Sequence, residues 1–217
     1  MSPHPSRHTR SPVVVLGVDP GLTRCGLGVV VGPSHQAHAR HLGCIRTNAS
    51  LPLEERLLAV HDGVRAVIEE YRPDAVAVER VLFSNNVRTA MATGQAAGVA
   101  LLAAAEAGIP VTSYSPSDVK LTVAGAGNAD KAAVARLVTA QLRLATTPRP
   151  ADVADALAVA LTHLARSRIA TLSSATPAAA AAQAAAAEAA NSSRGGWEAH
   201  LAARGMLPEQ PGRGTIR

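Results

Sequence analysis

Apolar and polar positions alternate in blocks along the chain, and the blocks predict elements. Val13 to Val18 is a β-branched run closed by Asp19-Pro20-Gly21, and Gly26 to Val31 resumes it, which predicts a hairpin. His41 to Thr47 predicts a third strand. From Pro52 to Tyr71, the residues Leu53, Leu57, Val60, Val64 and Ile68 recur at helical spacing, with Glu54 and Glu55 near the positive N-terminal end and Pro73 just beyond. Asp74 to Val78 predicts a buried strand that ends at Glu79. Asn86 to Ala107 predicts a long alanine-rich helix, in which Gly94 and Gly98 allow close backbone approach; Gly108 ends it. Ile109 to Tyr114 follows as a strand, then Asp118 to Val123, Ala129 to Leu144 and Asp152 to Arg166 as helices.

Three strands, helix, strand, helix, strand and further helices make an α/β fold, a mixed sheet flanked by helices. Such sheets carry their sites at strand ends. Asp19 ends one predicted strand and Glu79 another. The folded domain is expected over residues 12–168. Residues 1–11 read as a disordered N-terminus. Residues 169–217, which include ATPAAAAAQAAAAEAANSSRGG, read as a disordered, low-complexity Ala-rich C-terminal tail, because alanine favours helix but this run has no apolar face to bury.

Composition narrows the class. No apolar run approaches the roughly 20 residues that span a bilayer, and the start, MSPHPSRHTRSP, has no signal-peptide core behind it, so a cytoplasmic protein without membrane contact is expected. Cys25 and Cys44 lie in strand-like runs without metal-ligand spacing and read as free thiols. The net charge of +5 leans toward a polyanionic partner. Between Val13 and Arg168 the balance is closer, with 15 Lys/Arg against 13 Asp/Glu. With only 2% aromatic residues the chain offers no broad stacking platform, so a bound nucleic acid would be held mainly through its phosphates.

Four acids carry the chemistry, and each has a plainer reading. Asp19 before Pro20-Gly21 is either a turn residue or a ligand. Glu79 is a poor strand former at the end of an apolar run. Asp152 reads as a helix N-cap after Pro150 or as a site residue. Asp155 lies in the apolar company of VADALAVAL and needs a partner. Asp152 and Asp155 stand at i and i+3, which puts both carboxylates on one helix face, roughly 5–6 Å apart at Cβ. A cluster of carboxylates without a cation forces some to protonate, and a divalent ion removes that penalty. Oxygen donors without a Cys or His pair point to Mg²⁺ or Mn²⁺. Paired ions roughly 4 Å apart are a common device for phosphodiester hydrolysis.

LGVDPGLTRCGLGV, AVERV, PSDVKLTVAGAGNADK and ADVADALAVALTH, in that order and spacing, resemble the successive signatures of the RuvC family of Holliday-junction resolvases. The likeness spans residues 13–166. It implies a ribonuclease-H-like sheet and a homodimeric, metal-dependent endonuclease acting on four-way junction DNA, with branch-migration motor proteins as further partners. It also implies two Mg²⁺ per subunit, with Mn²⁺ able to substitute, held by Asp19, Glu79, Asp152 and Asp155. Lys120 and Lys131 match basic positions along the DNA path; they are the only lysines in the chain, beside 19 arginines. Family members often carry an aromatic three residues after the glutamate, where it reaches the junction centre. Here that position is Leu82, with Phe83 next to it, so either side chain is a candidate, and Phe83 has a core reading as well. The helix from Asn86 to Ala107 is the candidate dimer contact.

Three rival readings stand beside this one. DPGLT resembles the first phosphate motif of the actin and sugar-kinase ATPases, but the second glycine-rich motif and second domain of those enzymes are missing from this sequence. A nuclease of the same fold acting on RNA, or a module that binds junctions without cutting, differs in substrate or outcome rather than in fold.

Overall fold

The computed structural model describes residues 12–80 and 87–174. The expectations placed on residues 1–11, on Leu82 and Phe83, and on the tail beyond Ser174 lie outside the described residues. Five strands form one mixed sheet: β1 (Val14–Asp19), β2 (Arg24–Val31), β3 (His38–Arg46), β4 (Ala75–Glu79) and β5 (Val111–Tyr114), in the order β3-β2-β1-β4-β5. β1, β2 and β3 run antiparallel to their neighbours as a meander, whereas β1, β4 and β5 are parallel. Helix α1 (Leu53–Tyr71) leads into β4 and α2 (Val87–Glu106) joins β4 to β5, and α3 (Pro116–Ala124), α4 (Lys131–Gln141) and α5 (Ala151–Ser174) follow among the described residues.

Alternation along the central strands sorts side chains onto two cores. Leu16, Val18, Val76 and Val78 meet Val60, Val64 and Ile68 of α1 and Ala100, Ala103 and Ala104 of α2. Val15, Ala77 and Tyr114 face the other way, onto Val119 and Val123 of α3, Val134 and Val138 of α4, and Leu157 and Ala160 of α5. Asp19 and Glu79 have the parity of this second face. Both therefore emerge beneath α5, at the carboxyl ends of neighbouring parallel strands.

The element boundaries follow from local chemistry. α1 stops at Arg72, whose left-handed backbone (φ 44°) lets its N–H donate to the Ile68 carbonyl before Pro73. α3 begins at Pro116, before the expected Asp118, because Ser115 and Asp118 cap it reciprocally. α4 starts one residue after Asp130, whose carboxylate accepts the Ala133 N–H. β3 begins at His38, three residues earlier than its apolar pattern suggested. Opposite Val29 and Val30 of β2 the register shifts, leaving Arg40 of β3 as an extra, bulged residue, and the ladder continues to His38. α5 continues past Arg166 to Ser174. No helix among the described residues is long and apolar enough to cross a membrane. Both cysteines are free, Cys25 buried and Cys44 half-buried.

Candidate active site

Val18 of β1 pairs in parallel register with Val78 of β4, so Asp19 and Glu79 leave the sheet at the same level. Their side chains share a hydrogen bond. Burial is the largest influence on Asp19, followed by the charge of Glu79 and those of Asp155 and Asp152, and together they push its carboxyl up to about 8. Burial also raises Glu79, although the hydrogen bond from Asp19 opposes that rise. A bond between two carboxyl groups requires a proton, so without a cation the pair holds one between them.

Asp152 and Asp155 arrive from α5. This helix begins at Ala151, which makes Asp152 a first-turn residue rather than the N-cap. Glycines in the sheet set how close the helix comes. A Cβ on Gly17 would overlap the carbonyl of Ala156, one on Gly26 the carbonyl of Asp152, and one on Gly28 the side chain of Leu157. The α5 backbone thus rests directly on β1 at Gly17 and on β2 at Gly26, while the Leu157 side chain fills the space over Gly28; Gly26 is the cross-strand partner of Asp19. That contact carries the first turn of α5 to Asp19.

Each α5 carboxylate meets one basic side chain. Lys131 Nζ donates to Asp155 at 3.2 Å. Arg24 Nε lies 3.0 Å from Asp152 Oδ2. The Arg24 approach is not aligned as a hydrogen bond, so Oδ2 is buried without a hydrogen-bond partner. Among the described residues no three Asp, Glu, His or Cys side chains already converge as a ready set of metal ligands. The donors nevertheless suit a hard divalent cation: they are all carboxylate oxygens, all four act on Asp19 or include it, and one oxygen is buried with its lone pairs unused. Asp19, Glu79, Asp152 and Asp155 are the residues that could hold it.

Three recesses meet at Asp19. One of about 320 Å³ joins Asp19 and Glu79 to Lys120 and Lys131. A second, of about 560 Å³, sets Asp19, Asp152 and Asp155 among Arg24, Arg46, Lys131 and Arg149. The widest, about 1430 Å³, runs from Asp19 and Asp152 past Arg24, Arg56 and Arg88 to the start of α2. An acidic centre inside basic walls suits a polyanion whose reacting phosphate lies at the centre. The structure thus brings all six described candidates, the four acids and both lysines, to one end of the sheet.

Sequence reasoning did not single out the arginines. Arg56 of α1 donates from Nε to the Thr47 hydroxyl at 2.9 Å and from Nη2 to the Thr23 hydroxyl at 3.0 Å. Thr47 in turn donates to the Leu22 carbonyl. These bonds fix the turn between Asp19 and Arg24. In a chain with 19 arginines, no local pattern distinguishes the few that matter. The Thr23-Arg24 pair, one residue past the Asp-Pro-Gly turn, is the available signal.

The family model described as crossover junction endodeoxyribonuclease RuvC matches residues 15–163. The crossover junction endodeoxyribonuclease RuvC of Parafrankia sp. (strain EAN1pec) is 55% identical over 166 residues, 76% of this chain and 93% of that protein. Its counterpart from Streptomyces avermitilis is 53% identical over 154 residues, 70% of this chain and 88% of the relative. Among solved structures, T. thermophilus RuvC in complex with a Holliday junction substrate superposes with a TM-score of 0.71 at 43% identity, covering 73% of this chain and 97% of that one.

Proposed function

Since the chain belongs to the crossover junction endodeoxyribonuclease RuvC family, we propose that it is a Holliday-junction resolvase, which nicks two opposing strands of a four-way DNA junction by divalent-metal-dependent hydrolysis. The observation that carries this reading is that four carboxylates stand around Asp19 at one end of the sheet, inside walls of lysine and arginine.

Asp19, Glu79, Asp152 and Asp155 would hold two Mg²⁺ per subunit, with Mn²⁺ able to substitute; Asp19 is central because it feels the charge of all three others. When bound, such a pair supplies an activated water and stabilises the leaving oxygen. The chain's own residues do the rest. Asp19 and Glu79 surrender the proton they share. One carboxylate orients the attacking water and takes its proton. Lys120 and Lys131 hold phosphates beside the acidic centre, where their compact ammonium groups act as point charges. The products carry 5′-phosphate and 3′-hydroxyl ends. Leu82 or Phe83 is assigned to the junction centre, where an apolar side chain entering between bases would hold them apart.

A four-way junction has two-fold symmetry, which a homodimer matches. On α2, Met91 and Leu102 are 61% and 51% exposed, and a Cβ at Gly94 or Gly98 would meet nothing within 4 Å. These four share a helical stripe, which supports pairing with a second copy. Branch-migration motor proteins are the further partners in this reading, and a DNA substrate is in keeping with a cytoplasmic enzyme.

The test is cleavage of a mobile four-way junction with Mg²⁺, with Mn²⁺ and with chelator, mapping both nicks. Paired symmetric nicks that require the metal are expected. Structured RNA cut as fast as the junction would overturn the substrate assignment, and binding without cutting would overturn the nuclease.

A further inference from the structure

Without a cation, the four acids balance their charge in two different ways. Asp19 and Glu79 share a hydrogen bond, whereas Asp152 and Asp155 each sit against a basic side chain. The Arg24 contact is the unusual one. Asp152 is 19% exposed and Arg24 is 56% exposed, so the guanidinium reaches in from solvent to a recessed carboxylate. It reaches Oδ2 at 3.0 Å without completing a hydrogen bond. An aligned Arg–carboxylate fork would satisfy that oxygen and hold it tightly; this contact supplies charge but not directed bonding. Arg24 is therefore a weakly held counter-ion on the atom a cation would need.

Position gives Arg24 a second partner. As the first residue of β2, directly after the turn that Arg56 locks through Thr23, its backbone is fixed while its side chain is exposed. It lines both larger recesses, together with Asp19 and Asp152 in each. A guanidinium displaced from Asp152 thus remains beside the acidic centre. The matching anion there is a phosphodiester, which the planar guanidinium binds through two parallel N–H groups.

Resting on the nuclease reading above, we infer that Arg24 is an exchangeable counter-ion and a positioning residue. It neutralises Asp152 when no cation is bound, is released as the cation takes Oδ2, and then grips a backbone phosphate of the DNA strand in the cleft. Cation entry and the phosphate contact are coupled through one side chain. Cation binding frees the guanidinium for DNA, and by reciprocity DNA makes the cation bind more tightly.

The test uses the full-length chain with R24A and R24Q. Both replace an exposed side chain, and thermal melting checks that each variant folds. Calorimetric titration of DNA-free protein with Mn²⁺ should give about threefold to tenfold tighter binding in both variants, the scale of removing one partly exposed ion pair. Junction affinity in Ca²⁺ should fall, and the slope of log affinity against log salt should drop by about one for the lost phosphate contact. In the wild type, junction DNA should tighten Mn²⁺ binding, and in R24A that gain should shrink. Unchanged or weaker Mn²⁺ binding in the variants overturns the counter-ion role. Tighter Mn²⁺ binding with undiminished junction affinity overturns the transfer to phosphate. Failure of the nuclease reading shows separately, as wild-type protein that leaves junctions uncut in Mg²⁺, and does not alter the DNA-free cation titration.

Discussion

Gly17 and Gly28 face each other across the antiparallel β1–β2 pair, and α5 lies directly on both. Glycine weakens a strand on its own account, since it adds backbone entropy and no packing side chain. Here its absent Cβ is what lets a helix backbone touch a sheet. Because Asp152 and Asp155 belong to the first turns of that helix, the depth of the contact sets their height above Asp19 and Glu79.

Gly17→Ala tests this directly. The added methyl group meets the backbone carbonyl of Ala156, which cannot rotate away as a side chain would. Overpacking of this kind costs about 1–3 kcal/mol, and a rigid backbone contact belongs at the upper end. Urea unfolding should show the loss. Nicking at a temperature where the variant is fully folded should also slow, because α5 moves outward. A variant as stable and active as the wild type would show that α5 does not rest on Gly17.

Asp19→Asn removes the carboxylate on which the other three act. The amide keeps the shape but loses the charge that would draw a cation. Nicking in Mg²⁺ should fall on the order of a thousandfold or more, since several kcal/mol of charge stabilisation are lost. Junction affinity measured in Ca²⁺ should stay within about threefold, because the basic walls are untouched. Normal nicking by the variant would remove Asp19 from the metal site.

How much of this could be read beforehand depended on the residue. Asp19 and Glu79 were legible because continuous apolar runs stop at them, and a carboxylate at the end of a buried strand calls for a reason. Asp152 and Asp155 were legible as a pair because i and i+3 share a helix face whatever the tertiary context. Their approach to Asp19 was not legible, because Gly17, Gly26 and Gly28 look like weak points in strands until the helix above them is known. Arg24 and Arg56 were hidden for a different reason: an arginine's role depends on which groups its long side chain finds in three dimensions, and Thr23, Thr47 and Asp152 are scattered in sequence. β3 was underestimated because a strand partner and a bulge outweighed the poor local pattern of His38 to His41.

Arg56→Ala should loosen the turn between Asp19 and Arg24. The substitution leaves the hydroxyls of Thr23 and Thr47 without their donor. Two hydrogen bonds from a charged group near the surface are worth about 1–2 kcal/mol together after exchange with water. Amide hydrogen exchange of residues 21–25 should quicken, while that of α5 should not. Nicking should slow about tenfold, as expected when a reacting group loses its fixed placement. Arg56→Lys restores at most one of the two contacts and should lie between. Unchanged exchange in the turn would show that Arg56 does not hold it.

His61 links α1 to α2, and its effect on stability has a definite sign. Nδ1 lies 3.0 Å from Asp62 Oδ1 and Nε2 2.9 Å from Glu106 Oε2, so both ring nitrogens have acidic partners when the ring is protonated. The hydrogen bonds that the ring donates to Asp62 and then to Glu106 raise its pKa above the ordinary 6.5, against a smaller opposing effect of burial. A raised folded-state value means that the folded protein holds the proton more tightly than the unfolded chain does. The resulting stabilisation is complete below the unfolded value, near 6.5, and is lost as pH rises through the higher folded value. The unfolding free energies of wild type and His61→Gln should therefore differ most near pH 5.5 and converge toward pH 9. The pair is screened by solvent, so the largest difference should not exceed about 1 kcal/mol and should shrink in high salt. Urea titrations across that pH range check it: a difference that grew with pH would mean the ring stabilises the helices as neutral imidazole instead.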